Sequence, residues 1–161
     1  MYIKAEGPVY MNEKIRCGLI IILLAVLYCM LGIFAFNFAI SYETVTSAIF
    51  LSEGAALGFI LLYGWRIWPG IFLGQLLLGF VTGLNIHSSI MISAGNSVEA
   101  LAGLWILSRL KFDVALVSLR DYLLLIFVIF IFLQPLSAII GVSSLYIFSN
   151  LKGGDILSCL I

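Results

Sequence analysis

Apolar residues fill this chain in long runs instead of alternating with polar ones, so each run predicts a helix with apolar surroundings on every side. The first, Cys17 to Ile40, is longer than the core of a secretory leader and lacks a small-residue cleavage site, which predicts an uncleaved first helix. A second runs from about Ser47 to Tyr63 and ends in the turn Gly64-Trp65-Arg66-Ile67; Pro69 then opens a third, Trp68 to about Gly83. Helices two and three are expected to form a tight hairpin. After a loop at Leu84–Ser88 comes a fourth helix, about Ser89 to Leu107. The fifth begins near Tyr122 and continues past Gln134 and Pro135 toward Phe148, with a kink or tilt where proline withholds its backbone donor.

Composition turns these helices into membrane helices. Of 161 residues, 63% are hydrophobic and 10% charged, with mean hydropathy +1.22, whereas soluble domains carry about 25% charged residues. A crossing needs roughly 20 apolar residues, so the length fits about five or six crossings, and the runs give about five transmembrane helices in a single domain, residues 1–161, with no room for a catalytic domain outside the bilayer. The fold class expected is an all-α integral membrane protein. Zero net charge, one histidine and no basic run exclude a nucleic-acid footprint. Cys17, Cys29 and Cys159 form no CxxC pair and His87 stands alone, so neither a metal site nor a cofactor is expected.

Orientation follows from the cations, which cytoplasmic loops retain. Lys4, Lys14 and Arg16 precede helix one, Arg66 lies in the second connection, and Arg109, Lys111 and Arg120 lie in the fourth, all on one side. The opposite side receives Ser41–Thr46 with Glu43, Leu84–Ser88 with His87, and Lys152 after helix five. A cytoplasmic N-terminus and an extracytoplasmic C-terminus result. The final Ile156–Ile161 is too short to cross, and is expected to be the start of a further helix cut short or an amphipathic foot on the outer surface.

Two acids fall inside apolar helices, Glu53 and Glu99, and no Lys or Arg lies within any span. Each must carry a proton or meet something positive or hydrogen-bond donating, and an ionisable group in a bilayer suggests function. At 1.5 Å per residue from the outer face, Glu53 lies about 9 Å deep, Asn96 about 10 Å and Glu99 about 15 Å, while Gln134, about 18 Å up from inside, reaches the same outer half. Asn96 and Glu99 share a helix face, and Gln134, Ser137, Gly141 and Ser144 make a small polar stripe at helical spacing. Converging, Glu53, Asn96, Glu99, Gln134 and Ser137 would line a ligand pocket open to the outside. The plain alternative for Asn96, Gln134 and Ser137 is interhelical hydrogen-bond glue, and Gln75, placed in the inner half, is assigned to glue.

Glycines at four-residue spacing, Gly54/Gly58, Gly70/Gly74, Gly79/Gly83 and Gly95/Gly103 flanking Glu99, predict close helix contacts in a monomer or a homodimer. Trp65 and Trp68 flank Arg66 as interfacial anchors. Arg109, Lys111, Asp113, Arg120 and Asp121 form a mixed-charge loop facing lipid headgroups, a cytoplasmic partner, or solvent alone. Lys152-Gly153-Gly154-Asp155 matches only the first letters of the diguanylate cyclase signature, and the glycines of helix three follow no strand; neither implies an enzyme or a dinucleotide site.

Several motifs share an order and spacing: Ser52-Glu53-Gly54, Leu61 through Gln75 with its Gly64-Trp65-Arg66-Ile67-Trp68-Pro69-Gly70 core, Gly95-Asn96-Ser97-Val98-Glu99-Ala100, Leu119-Arg120-Asp121, and Gln134-Pro135-Leu136-Ser137-Ala138-Ile139-Ile140-Gly141. Over roughly Ile49 to Ser149 the chain resembles the bacterial membrane-associated sensor family MASE, type one. That resemblance implies a multi-pass protein of the bacterial inner membrane, an input domain that passes a stimulus to a cytoplasmic histidine kinase, diguanylate cyclase or phosphodiesterase. Two departures stand out. Leu51-Ser52-Glu53 replaces the aromatic residue and proline that many members have before the helix-two glycine, and members continue through later helices to an output module where this sequence stops at Ile161, so a truncated member is expected.

The function expected is therefore non-enzymatic: a small extracytoplasmic or membrane-borne signal binds the polar layer, and helix packing relays it to a signalling partner. Rival readings are a small multi-pass transporter or substrate-binding membrane subunit, since intramembrane acids also couple cations, and a remnant with no activity of its own.

Overall fold

The computed structural model describes residues 13–41 and 47–148; the expectations placed on Glu43, Lys152, Cys159 and the segment Ile156–Ile161 lie outside it. The helices are α1 (Glu13–Ser41), α2 (Ser47–Tyr63), a 3-10 turn (Trp65–Ile67), α3 (Trp68–Val81), α4 (Ile86–Arg109), α5 (Leu119–Val128), a π-helical turn (Ile129–Leu133) and α6 (Gln134–Phe148). No strand occurs among the described residues. Three helices are long and apolar enough to cross a membrane, Glu13–Asn37, Ile86–Arg109 and Leu119–Gly141, and two shorter apolar stretches, Leu51–Tyr63 and Trp65–Val81, accompany them.

The helix ends follow from local chemistry. Asn85 caps α4, its side chain accepting the His87 backbone N–H at 3.2 Å, and Ser118 caps α5 through Arg120 N–H at 3.2 Å. For α4 this starts the helix inside the expected loop, at Ile86, because the Asn85 carboxamide satisfies an otherwise orphaned donor. Gly83 ends α3 with φ 73°, while the Leu84 N–H bonds the Gly79 carbonyl at 2.9 Å and Gly83 N–H bonds Phe80 at 3.3 Å. The same motif ends α4, with Phe112 N–H on Leu107 at 3.1 Å and Lys111 N–H on Ser108 at 3.3 Å, but here the left-handed position (φ 54°) is held by Lys111. A side chain is disfavoured in that conformation by about 1 kcal/mol. Lys111→Gly is accordingly expected to raise the melting temperature by about 2–4 °C in a detergent melt.

Pro135 does not simply kink the last helix. It withholds the N–H that the Ile131 carbonyl would receive, and the backbone widens into the π turn before it, Gln134 N–H reaching back to Ile129 O. α5, the π turn and α6 therefore run on as one helix from Leu119 to Phe148.

Packing corrects the hairpin expectation. α2 and α3 are joined by Gly64 (φ 84°) and the 3-10 turn, yet α1 packs against both of them, and α4 packs against α2, α3 and α6. α2 and α3 have little contact with each other. Close approach to a neighbouring backbone falls on the α1–α3 seam: a Cβ at Gly70 would stand 2.8 Å from the Ile21 carbonyl oxygen, and one at Gly74 would stand 2.9 Å from that of Ala25. Gly79 faces Ser89, Gly95 faces Ile140, and Gly103 faces Leu57 and Leu133. Among the described residues Gly54 and Gly58 approach nothing within 4 Å, and Gly83 serves the turn, so two of the expected glycine pairs are not packing motifs there.

α4 is the polar spine of the bundle. Ser88, Ser89, Ser93, Asn96, Ser97 and Glu99 are all buried, while Ile90, Val98 and Trp105 are exposed, an arrangement suited to apolar surroundings. Its serines return their hydroxyls to the helix, Ser93 to the Ser89 carbonyl at 2.6 Å and Ser97 to Ser93 at 2.8 Å.

Candidate functional site

A cavity of about 100 Å³ lies where α1, α2, α3, α4 and the π turn meet. Its polar lining is Tyr28, Glu53, Asn96, Glu99 and Gln134, and Ala56, Leu57, Ile71, Ala100, Ile129 and Leu133 make the apolar wall. Space of that size holds several waters or the polar head of a small ligand. Gly54, with no side chain, completes the rim beside Glu53.

Four of the five expected site residues line this cavity. The fifth, Ser137 on α6, donates its hydroxyl to Glu53 Oε1 at 3.1 Å and is also a side-chain partner of Glu99. One hydroxyl carries one proton, so Ser137 serves one of the two carboxyls at a time. Oε2 of each glutamate is buried without a hydrogen-bond partner among the described residues. Glu99 is 5% exposed and Glu53 is half-buried.

The polar stripe on α6 faces α4, as its spacing predicts. Two turns beyond Ser137, Ser144 is buried and donates to the Ser88 carbonyl at 3.3 Å. Gly141 has open space beside it instead.

Asn96 is held from two sides. Its Nδ2 donates to Tyr28 Oη at 2.9 Å and to Gln75 Oε1 at 3.3 Å. Gln75 is thus joined to the layer from which its expected depth excluded it. A depth that assumes a full-length crossing does not hold for α3, which has only 14 residues, about 21 Å. Gln75 lies six residues before the end of α3 at Val81, and the α3–α4 turn brings it level with Asn96.

Tyr28 escaped the sequence reading altogether. It sits in the middle of the apolar α1 run, is 1% exposed, and also hydrogen-bonds Ser52. A tyrosine among leucines suggests packing; a usable signal is that a buried phenol needs a polar partner, which Ser52 and Asn96 supply. Removing its oxygen strands one Asn96 donor, so Tyr28→Phe is expected to lower unfolding free energy by about 0.5–2 kcal/mol, measurable by denaturant titration in mixed micelles.

The family model described as MASE1 matches residues 20–160. The chain belongs to the MASE1 family. MASE1 is a membrane-associated sensory domain, and the match spans α1 through α6 and so every residue around the cavity. No match is found among the curated proteins or among the solved structures.

The MASE1 chain has a second organised region at the other end of the bundle. Asp121, buried at the start of α5, accepts the Asp113 N–H at 3.4 Å, Asp113 accepts Ala115 N–H at 3.0 Å, and Arg120 donates to the Leu110 carbonyl at 3.1 Å. Arg109 stacks over Trp105 at 5.3 Å, and Trp65 and Trp68 are exposed beside Arg66. This is a folded, anchored loop rather than a loose charged one. Among the described residues no group of three or more His, Cys, Asp or Glu gathers.

Proposed function

We propose that this MASE1 domain is a non-enzymatic input module of the bacterial inner membrane whose cavity binds a small extracytoplasmic or membrane-borne signal and relays it to a cytoplasmic kinase or cyclic-di-GMP module. The observation that carries the reading is Glu99, an acid buried in an apolar bundle with one oxygen unpartnered at a cavity wall. A carboxyl in that position costs stability, and structure alone gives no reason to keep it. The cavity is lined from α1, α2, α3, α4 and the π turn, and Ser137 ties α6 to it. A ligand that draws the two carboxyls together shifts helices whose far ends carry the Arg66 turn and the Asp113–Asp121 loop.

Five crossings suit this role. α2, at 17 residues, and Trp65–Val81, in which the 3-10 turn lengthens α3, sit at the lower limit of about 17 for a spanning helix, and Lys14, Arg16, Arg66, Arg109, Lys111 and Arg120 then fall on the cytoplasmic side. In a cysteine-free background, Val117→Cys is expected to react with an impermeant thiol reagent only from inside, and Ile86→Cys only from outside. Labelling of both from one side would overturn the topology.

The function is tested by fusing the domain to a diguanylate cyclase output and comparing it with the Glu53→Gln, Glu99→Gln double variant at equal membrane abundance. Loss of the response to periplasmic extract in the double variant is expected; an unchanged response would sink the site. A transporter would instead show gradient-driven uptake in proteoliposomes.

A further inference from the structure

We propose that the cavity takes a small protonated primary amine, its ammonium head between the Glu53 and Glu99 carboxylates and its short carbon chain against the apolar wall. This rests on reading the cavity as the signal site, and adds the chemical class of the signal.

Donors and acceptors around the cavity do not balance. Asn96 has committed both amide hydrogens, to Tyr28 and to Gln75, and so has only its carbonyl left to offer. Ser137 supplies one hydrogen for two carboxyls. The two buried Oε2 atoms remain as acceptors without donors. An ammonium group has three donors and no acceptor, which complements two carboxylates and one carbonyl. Gln134, the remaining amide on the lining, can turn its own carbonyl toward the same head group.

Charge points the same way. The sequence has no Lys or Arg from Cys17 to Trp65, from Ile67 to Ser108, or from Asp121 to Leu151. A cation for the two acids therefore has to come from outside these spans. Buried carboxylates that gain one recover part of their desolvation cost through charge-assisted hydrogen bonds.

The wall separates an amine from an inorganic ion. Ca²⁺ and Mg²⁺ are hard cations that take oxygens or waters on all sides, whereas half of this lining is Ala56, Leu57, Ile71, Ala100, Ile129 and Leu133, which suits a head group that carries carbon. A quaternary ammonium needs an aromatic cage, and Tyr28 is the one aromatic ring on the lining. An α-amino acid would bring its own carboxylate to two others. A short alkylammonium places donors at the acids and methylenes on the wall, within about 100 Å³.

The test is thermal unfolding of the purified chain in detergent at fixed pH and ionic strength, with methylammonium, ethylammonium, tetramethylammonium or sodium chloride, and with ethanol and sodium acetate as the neutral and anionic counterparts. Methylammonium or ethylammonium is expected to raise the melting temperature saturably, by roughly 5–10 °C at a hundredfold excess over Kd. Tetramethylammonium and sodium are expected to leave it unchanged, and Glu99→Gln to abolish the shift. Where the variant does not fold, amine-induced infrared difference spectra of the wild type give the second readout, a carboxylic-acid band replaced by carboxylate bands. No amine shift with no infrared change would overturn the proposal, as would an equal effect of sodium. A Glu99-dependent shift with a neutral or anionic compound alone would overturn the amine and leave the signal-site reading standing.

Discussion

Replacing Gly70 and Gly74 together with leucine is expected to leave no folded protein recoverable in detergent. These glycines lie one turn apart on α3 and face α1, where even a single Cβ would meet the carbonyl oxygens of Ile21 and Ala25 at 2.8 and 2.9 Å. Those atoms belong to helix backbone, so they cannot step aside as a side-chain tip can. Lipid tails are as apolar as leucine, and helix association in a bilayer rests on close packing of this kind. One overpacking methyl costs about 1–3 kcal/mol, and Gly74→Ala alone is expected to lower the melting temperature by roughly 2–12 °C. Tyr28 also packs against Gly74, so the same change displaces the acceptor of Asn96. Gly58→Ala is the control. Nothing lies within 4 Å of its added Cβ, and the gain in helix propensity should hold or slightly raise stability. Equal losses at Gly58 and Gly74 would contradict the seam.

Glu99→Leu is expected to stabilise the fold and abolish its response. Leucine is close in volume to glutamate, continues the wall made by Ala100, Leu57 and Leu133, and removes an acid whose Oε2 has no partner among the described residues. Replacing buried ionic groups with apolar ones of similar size is often worth about 1–4 kcal/mol of stability, here read as a higher melting temperature. A residue kept for stability would show the opposite sign. A domain that melts higher while its fused output stops responding identifies Glu99 as functional. If stability and response fall together, Glu99 is structural glue.

Much of the helix layout was legible because apolar runs and their breakers act locally. Ser47–Tyr63 and the Gly64–Ile67 turn match the structure, and α1, α4 and α5–α6 differ from expectation by a few residues at their ends. Those differences come from caps such as Asn85 and Ser118, which extend a helix beyond its apolar run. Glu53, Asn96, Glu99 and Gln134 were visible because polar atoms stand out in membrane helices. Tyr28 and Gln75 were not. A run apolar on all sides carries no periodicity to orient Tyr28, and the depth of Gln75 depends on the length of α3, which a hydropathy pattern does not fix. The pairing of α1 with both α2 and α3 was equally invisible, since adjacency in sequence suggested the α2–α3 hairpin.

The most direct test of the cavity as a polar, cation-favouring site reached from outside is the reactivity of a thiol placed on its wall. Ala100→Cys, in a background with Cys17, Cys29 and Cys159 replaced, leaves both glutamates in place beside a small side chain that lines the cavity. Small cationic and anionic methanethiosulfonate reagents are added to intact spheroplasts and the rates compared. Modification from outside is expected, faster for the cation by about tenfold or more because the two acids can ionise for an entering positive charge, whereas the lining offers no cation to an entering anion. A thiol that stays inert to both reagents, or that reacts with them at equal rates, would contradict it.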